Sequence, residues 1–113
     1  MPLIDETVLT EYQNDIGLEK ARALLKIVIS EMEMRSGNAL KAHESGDSDE
    51  MEREFHTVKS ICFMVGATDM ANLAMEIEVG AANMSQDELE QKLSSYTDIK
   101  RKTIAQLNQR MAS

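Results

Sequence analysis

A chain of 113 residues with 42% hydrophobic side chains can bury one modest core, so a single domain over 1–113 is expected. Its 12 basic and 20 acidic residues leave a net charge of -8, which opposes binding to nucleic acid or to an anionic membrane surface. A lone cysteine, Cys62, excludes an internal disulfide and a cysteine zinc cluster. The longest apolar stretches, Leu24 to Ile29 and Cys62 to Ala67, fall far short of the roughly 20 residues of a spanning helix. The opening MPLIDET has neither the basic region nor the apolar run of a signal peptide, so a cytoplasmic protein is expected.

One proline, at position 2, and an abundance of Ala, Leu, Met, Glu and Lys favour helix nearly everywhere, so the fold class is all-α. Asp5 is a suitable N-cap for a short first helix, with Val8, Leu9, Tyr12 and Ile16 at helical spacing and Gly17 as its left-handed stop. From Leu18 the positions Ala21, Leu24, Leu25, Val28, Met32, Arg35, Ala39 and Ala42 predict a long amphipathic helix reaching the ESGD turn at 44–47. Asp47 with Glu50 reads as a capping box opening a third helix, whose inner stripe is Met51, Phe55, Val58, Cys62 and Val65 and whose end is Gly66. A fourth helix is expected from about Ala67 to Val79, with Met70, Leu73, Ala74 and Ile77 inward. Ser85 with Glu88 is a second capping box, opening a fifth helix through Leu89, Leu93, Tyr96, Ile99, Lys100, Ile104, Leu107 and Met111. Short connections make sequential helices antiparallel, which predicts an up-and-down antiparallel four-helix bundle with a short N-terminal helix.

Charge is uneven: 44–54 sums to -5, 69–90 to -6 and 91–113 to +4. Solvated helix faces and matching to helix dipoles account for this, the basic tail included.

The chain has no Gly-rich phosphate loop, CxxC, HExxH or GxSxG, so nucleotide-dependent, zinc-hydrolytic and serine-hydrolase chemistry lack their apparatus. Attention passes to the two histidines. With His56 set at zero and about 100° per residue, the apolar stripe of the third helix centres near -140°, so the imidazole points away from the core. Glu52 and Ser60 lie one turn before and after it, Lys59 at i+3 and Phe63 at i+7. An exposed imidazole, a nucleophile when neutral, beside an ammonium able to neutralise an anion suits phosphoryl transfer. Ser60 leaves room for a partner, and Phe63, joined by Met64 at about 80°, offers apolar docking area. By spacing alone, a surface His next to a Lys is most often an ordinary solvated helix face. Glu52 can accept the other ring N–H, although a solvated carboxylate is the preferred reading. His43, beside the Gly turn, is expected to be exposed and to interact with its helix C-terminus. Most of the nine methionines fit packing better than a copper site at Met32 and Met34, and Cys62 reads as an inert core thiol.

The segment FHTVKSICFMVGA, 55–67, resembles the histidine-containing phosphotransfer (HPt) domain: His56, Val58, Lys59, Ser60, Gly66 and Ala67 follow that family's pattern in order. The approach NALKAHESGDSDEMEREFH, 38–56, and LAMEIE, 73–78, also resemble family segments, and the likeness spans about 17–80. Ser60 stands where Gly is commoner, as in small standalone LuxU-like members, and Ile61 and Cys62 replace small polar residues. The resemblance implies that His56 is the phosphoacceptor, that Lys59 stabilises the phosphoryl charge, and that Ser60 and Gly66 keep the family roles of close approach and helix termination; Ser60, Phe63, Met64 and Glu52 are the expected partner-binding residues. It implies a phosphorelay intermediate that takes a phosphoryl group from a receiver-domain aspartyl phosphate and passes it to another receiver, without ATP-dependent kinase activity. The implied partners are receiver domains of response regulators and hybrid histidine kinases. No cofactor or metal of its own is expected, Mg²⁺ belonging to the receiver, and a monomer is expected. The competing reading is a non-catalytic helical adaptor that binds a signalling partner through the same face.

Overall fold

The computed structural model describes residues 3–112, and all of its regular elements there are helical. They are α1 (Glu6–Ile16), α2 (Leu18–Glu44), α3 (Ser48–Met64), α4 (Thr68–Gly80), a 3₁₀ turn (Ala81–Asn83) and α5 (Gln86–Ala112). Contacts run α2 to α3, α3 to α4, α4 to α5 and back from α5 to α2, which closes four helices into an up-and-down bundle with α1 laid against α2. No helix among the described residues is long and apolar enough to cross a membrane.

The helix ends follow local chemistry. Asp5 accepts from the Thr7 N–H, Asp47 from the Glu50 N–H at 3.1 Å and Ser85 from the Glu88 N–H at 3.1 Å, each satisfying a donor the helix cannot. The Asp47 box is only half formed, because the Glu50 carboxylate turns to Arg53 at 2.6 Å instead of reaching back. Gly17 has φ 88° and ψ 158°, so α1 stops in an extended glycine conformation, not in the left-handed helical one.

The inward stripe of α3 is buried throughout, Phe55, Val58, Cys62 and Val65 being wholly sealed. Met70, Leu73, Ala74 and Ile77 of α4 join it, and Tyr96 of α5 meets Phe55 edge to face with centroids 5.0 Å apart. Periodicity of apolar residues overlooks three buried polar side chains, Ser36, Glu54 and Thr103. Ser36 bonds the Tyr96 hydroxyl at 2.5 Å and Glu54 meets Arg35 at 3.5 Å, so two of these groups tie helices together. Burial pushes the Tyr96 phenol up and the Cys62 thiol up to about 12, which makes Cys62 inert as a nucleophile. Met32 is sealed in the core while Met34 is exposed. The cations of α5 meet acids: Lys92 with Glu76 at 2.9 Å, Lys100 with Glu33 at 3.7 Å, and Arg110 with Glu6 at 3.2 Å.

One turn fixes the α3–α4 hairpin. Gly66 sits at φ 77°, and its carbonyl accepts the Asp5 N–H at 2.7 Å, which seats the start of α1 on the turn. A Cβ at this position would lie 2.7 Å from the Asp5 carbonyl oxygen, a backbone atom that cannot swing aside. Gly66→Ala is therefore expected to lower stability by about 1–3 kcal/mol from backbone strain alone. Urea unfolding will measure it, and Gly37→Ala, where a Cβ meets open space, will cost nothing comparable.

Candidate functional site

His56 stands in the middle of α3 with its side chain 59% exposed, on the face opposite the buried stripe. The helical angles predict that direction, and the packing of Phe55 and Val58 on either side explains it: burying both neighbours turns the ring outward. The imidazole is not alone. Its Nδ1 lies 2.6 Å from Oε2 of Glu78 on α4, and the other carboxylate oxygen of Glu78 lies 3.2 Å from Nζ of Lys59. One carboxylate thus joins the histidine and the lysine across the hairpin.

The electrostatics of Glu78 decide the proton positions. Burial pushes its carboxyl up, but hydrogen bonds from His56 and Lys59, aided by their charges, outweigh this and hold it below the ordinary 4.5. An ionised carboxylate only accepts, so Nδ1 of His56 donates and carries the ring proton. In a neutral ring of this tautomer the lone pair is on Nε2. Lys59 Nζ also comes within 3.4 Å of Nδ1, but two donors face each other there, so the ammonium's partner is Glu78 and not the ring.

Glu52, the carboxylate nearest in sequence, does not hold the ring. It lines a shallow depression around His56 together with Asp49, Arg53, Thr57, Glu78 and Val79. Ser60 is exposed, with its hydroxyl turned back onto the His56 carbonyl at 3.3 Å, which leaves the surface beside the ring low. Phe63 and Met64 are exposed at 46% and 43%, one to two turns further along α3 and outside the depression. The apolar side chain nearest the ring's own hollow is Val79 of α4, 71% exposed, which reading α3 by itself overlooks.

His43 corrects an expectation. It is half-buried, and its Nε2 bonds Oε1 of Glu90 at 2.7 Å, pinning α2 to α5. A charge partner 47 positions away is invisible to a rule that looks one turn along a helix.

The family model of the Hpt domain matches residues 23–112. The chain belongs to the Hpt domain family. A crystal structure of histidine-containing phosphotransfer protein B (HptB) from Pseudomonas aeruginosa PAO1 is similar in fold, with a TM-score of 0.89 at 19% sequence identity. The similarity covers 98% of this chain and 96% of that one. A search of curated proteins finds no match. This is accordingly an Hpt phosphotransfer protein of the phosphorelay type, whose family interacts with receiver domains.

The Glu78 bridge has a pH signature. A carboxyl whose folded value is depressed contributes stability above its unfolded value, and that contribution fades as pH falls through the folded one. Glu78→Gln is expected to be less stable than the parent at neutral pH, and the difference is expected to close as pH drops below 4.5. Denaturant titrations of both proteins between neutral and strongly acidic pH will read the gap directly.

Proposed function

We propose that His56 is the phosphoacceptor and that Nε2 is its nucleophilic atom. The observation that carries this is the 2.6 Å contact of Nδ1 with an ionised Glu78, on a ring more than half exposed. In the forward step the Nε2 lone pair attacks the phosphorus of an aspartyl phosphate on a receiver domain. The N–P bond forms, the acyl P–O bond breaks, and its electrons return to the receiver's aspartate as a carboxylate. The ring gains positive character while Nδ1–H stays on Glu78, so the carboxylate stabilises the charge that develops. In the onward step the aspartate of a second receiver attacks the same phosphorus and the N–P bond breaks.

Lys59 stabilises the arriving phosphoryl charge. Its side chain is 22% exposed and already stands beside the ring, so only a short swing of the ammonium separates Glu78 from the new anion. Glu78 is a positioning residue that acts through the ring and through Lys59. Ser60 keeps the approach low, and Phe63, Met64 and Glu52 face the incoming receiver. ATP is not a substrate, and Mg²⁺ is supplied by the receiver. Receivers of response regulators and of hybrid histidine kinases are the proposed donors and acceptors, met by a monomer in the cytoplasm. Each step exchanges one activated phosphoryl linkage for another, so the same site serves both to accept the group from one receiver and to pass it to the next.

The non-catalytic adaptor predicts that the charges around His56 are dispensable. Incubation with a phosphorylated receiver is expected to give one acid-labile, base-stable phosphoryl group, the pattern of a phosphoramidate. His56→Gln is expected to abolish it, and labelled His56→Gln protein would end the proposal. Lys59→Ala removes a charge-assisted contact of about 1.5–3 kcal/mol, and is expected to slow transfer about 10- to 100-fold without loss of fold. An adaptor would lose neither label nor rate, having none.

A further inference from the structure

The two halves of the transfer proposed for His56 depend on one proton. Attack by Nε2 needs that proton on Nδ1, and so does the departure of the phosphoryl group. When a receiver's aspartate attacks the phosphorus and the P–Nε2 bond breaks, the bonding pair returns to Nε2. With Nδ1 protonated a neutral imidazole leaves and no proton has to move. With Nδ1 bare the leaving group is an imidazolide anion, which must draw a proton from water. An imidazolium left to solvent gives up its proton near neutrality, at about 6.5 for the free side chain. The His56 side chain is 59% exposed, so burial does not guard the proton.

One group is placed to guard it. Oε2 of Glu78 lies 2.6 Å from Nδ1, and Oε1 is buried 3.2 Å from Nζ of Lys59. The charged groups that face the ring are Lys59, Asp49, Glu52 and Arg53 from α3 and Glu78 from α4. The Glu78 carboxyl is held below its ordinary 4.5 and so stays ionised through the neutral and alkaline range. In the resting site Lys59 balances this carboxylate. Once the ammonium turns to a phosphoryl group on Nε2, a positive ring becomes the carboxylate's partner, and an opposite charge in contact favours the protonated form. We propose that Glu78 keeps phosphorylated His56 protonated at Nδ1, so that the onward step expels a neutral imidazole at a pH where an unassisted ring has already lost its proton. This rests on His56 being the phosphoacceptor. It adds that the carboxylate acts, through the ring, on the departure of the phosphoryl group as well as on its arrival.

The pH profile of the onward step tests this. Parent and Glu78→Gln are loaded with phosphoramidate, a small donor that needs no docking, and transfer to a Mg²⁺-loaded receiver domain is then timed. Gln still accepts the Nδ1 proton through its carbonyl oxygen but carries no charge. The ratio of the two rates cancels the receiver's own pH dependence. It is expected to grow roughly tenfold per pH unit from about pH 7 to about pH 9, and to level off at lower pH, where both rings keep the proton. Lys59→Ala is expected to slow the same step by a factor that does not change with pH. Nitrogen NMR of the phosphorylated parent, which needs no variant, is expected to show Nδ1 of His56 still protonated at about pH 8.5. A rate ratio independent of pH, or a bare Nδ1 in the parent at that pH, would overturn the proposal and leave His56 as the acceptor. A parent that takes no label at His56 would remove the phosphoacceptor reading and this proposal with it.

Discussion

The site rests on a single carboxylate that reaches across a helical hairpin. Glu78 meets His56 at 2.6 Å and Lys59 at 3.2 Å, so one acidic side chain sets a ring tautomer and parks a cation. Neither function is available from α3 alone. Glu52 and Ser60 occupy the neighbouring turns, yet the first lines the hollow without holding the ring, and the second folds its hydroxyl onto the backbone. The reactivity proposed for His56 is therefore a property of the pair α3 and α4, and whatever fixes their register fixes the arrangement of His56, Lys59 and Glu78.

That register descends from the turn. His56 and Glu78 lie eleven residues before and after Ala67, the cap that opens α4. Equal helical distances from a tight antiparallel turn bring two side chains to the same height. Gly66 makes the turn tight by accepting a positive φ and by letting the Asp5 backbone come close, while the sealed stripe from Met51 to Val65 fixes the rotation of α3. Rotation turns the imidazole outward and register gives it a partner. The edge-to-face pair of Phe55 and Tyr96 holds the residue just before His56 against α5, so the ring sits on a packed support.

Most of the fold was legible because it is written in local chemistry. Asp5, Asp47 and Ser85 cap helices that begin one residue later, and apolar stripes at three- and four-residue spacing pick out the buried faces of α3 and α4. What escaped is what depends on contacts between distant residues. Ser36 and Thr103 are buried but polar, so a hydrophobic period passes over them. His43 and Glu90 meet across two helices. The outward direction of His56 followed from helical angles, and the partner of its Nδ1 did not, because an i−4 carboxylate was the only candidate that one helix could supply. Hairpin symmetry about Ala67 is the signal that could have pointed to Glu78, and it requires treating α3 and α4 as one unit.

The charge arrangement fits the phosphotransfer role proposed for the site. Glu78 and Lys59 cancel, so the ring stands beside an ion pair of no net charge, and Glu78 engages it at Nδ1, on the side away from Nε2. A free ammonium in this position would be held elsewhere, since acids are abundant on a surface of net charge -8. Glu78 keeps it at the ring through an ion pair that is four-fifths shielded on both sides, where screening is weaker than at a fully exposed pair. In the proposed transfer, the phosphoryl group offers the ammonium a second and more highly charged partner within a short swing, and Glu78 keeps the imidazole N–H. Under that proposal the same carboxylate serves both states, by holding the lysine in one and the charged ring in the other.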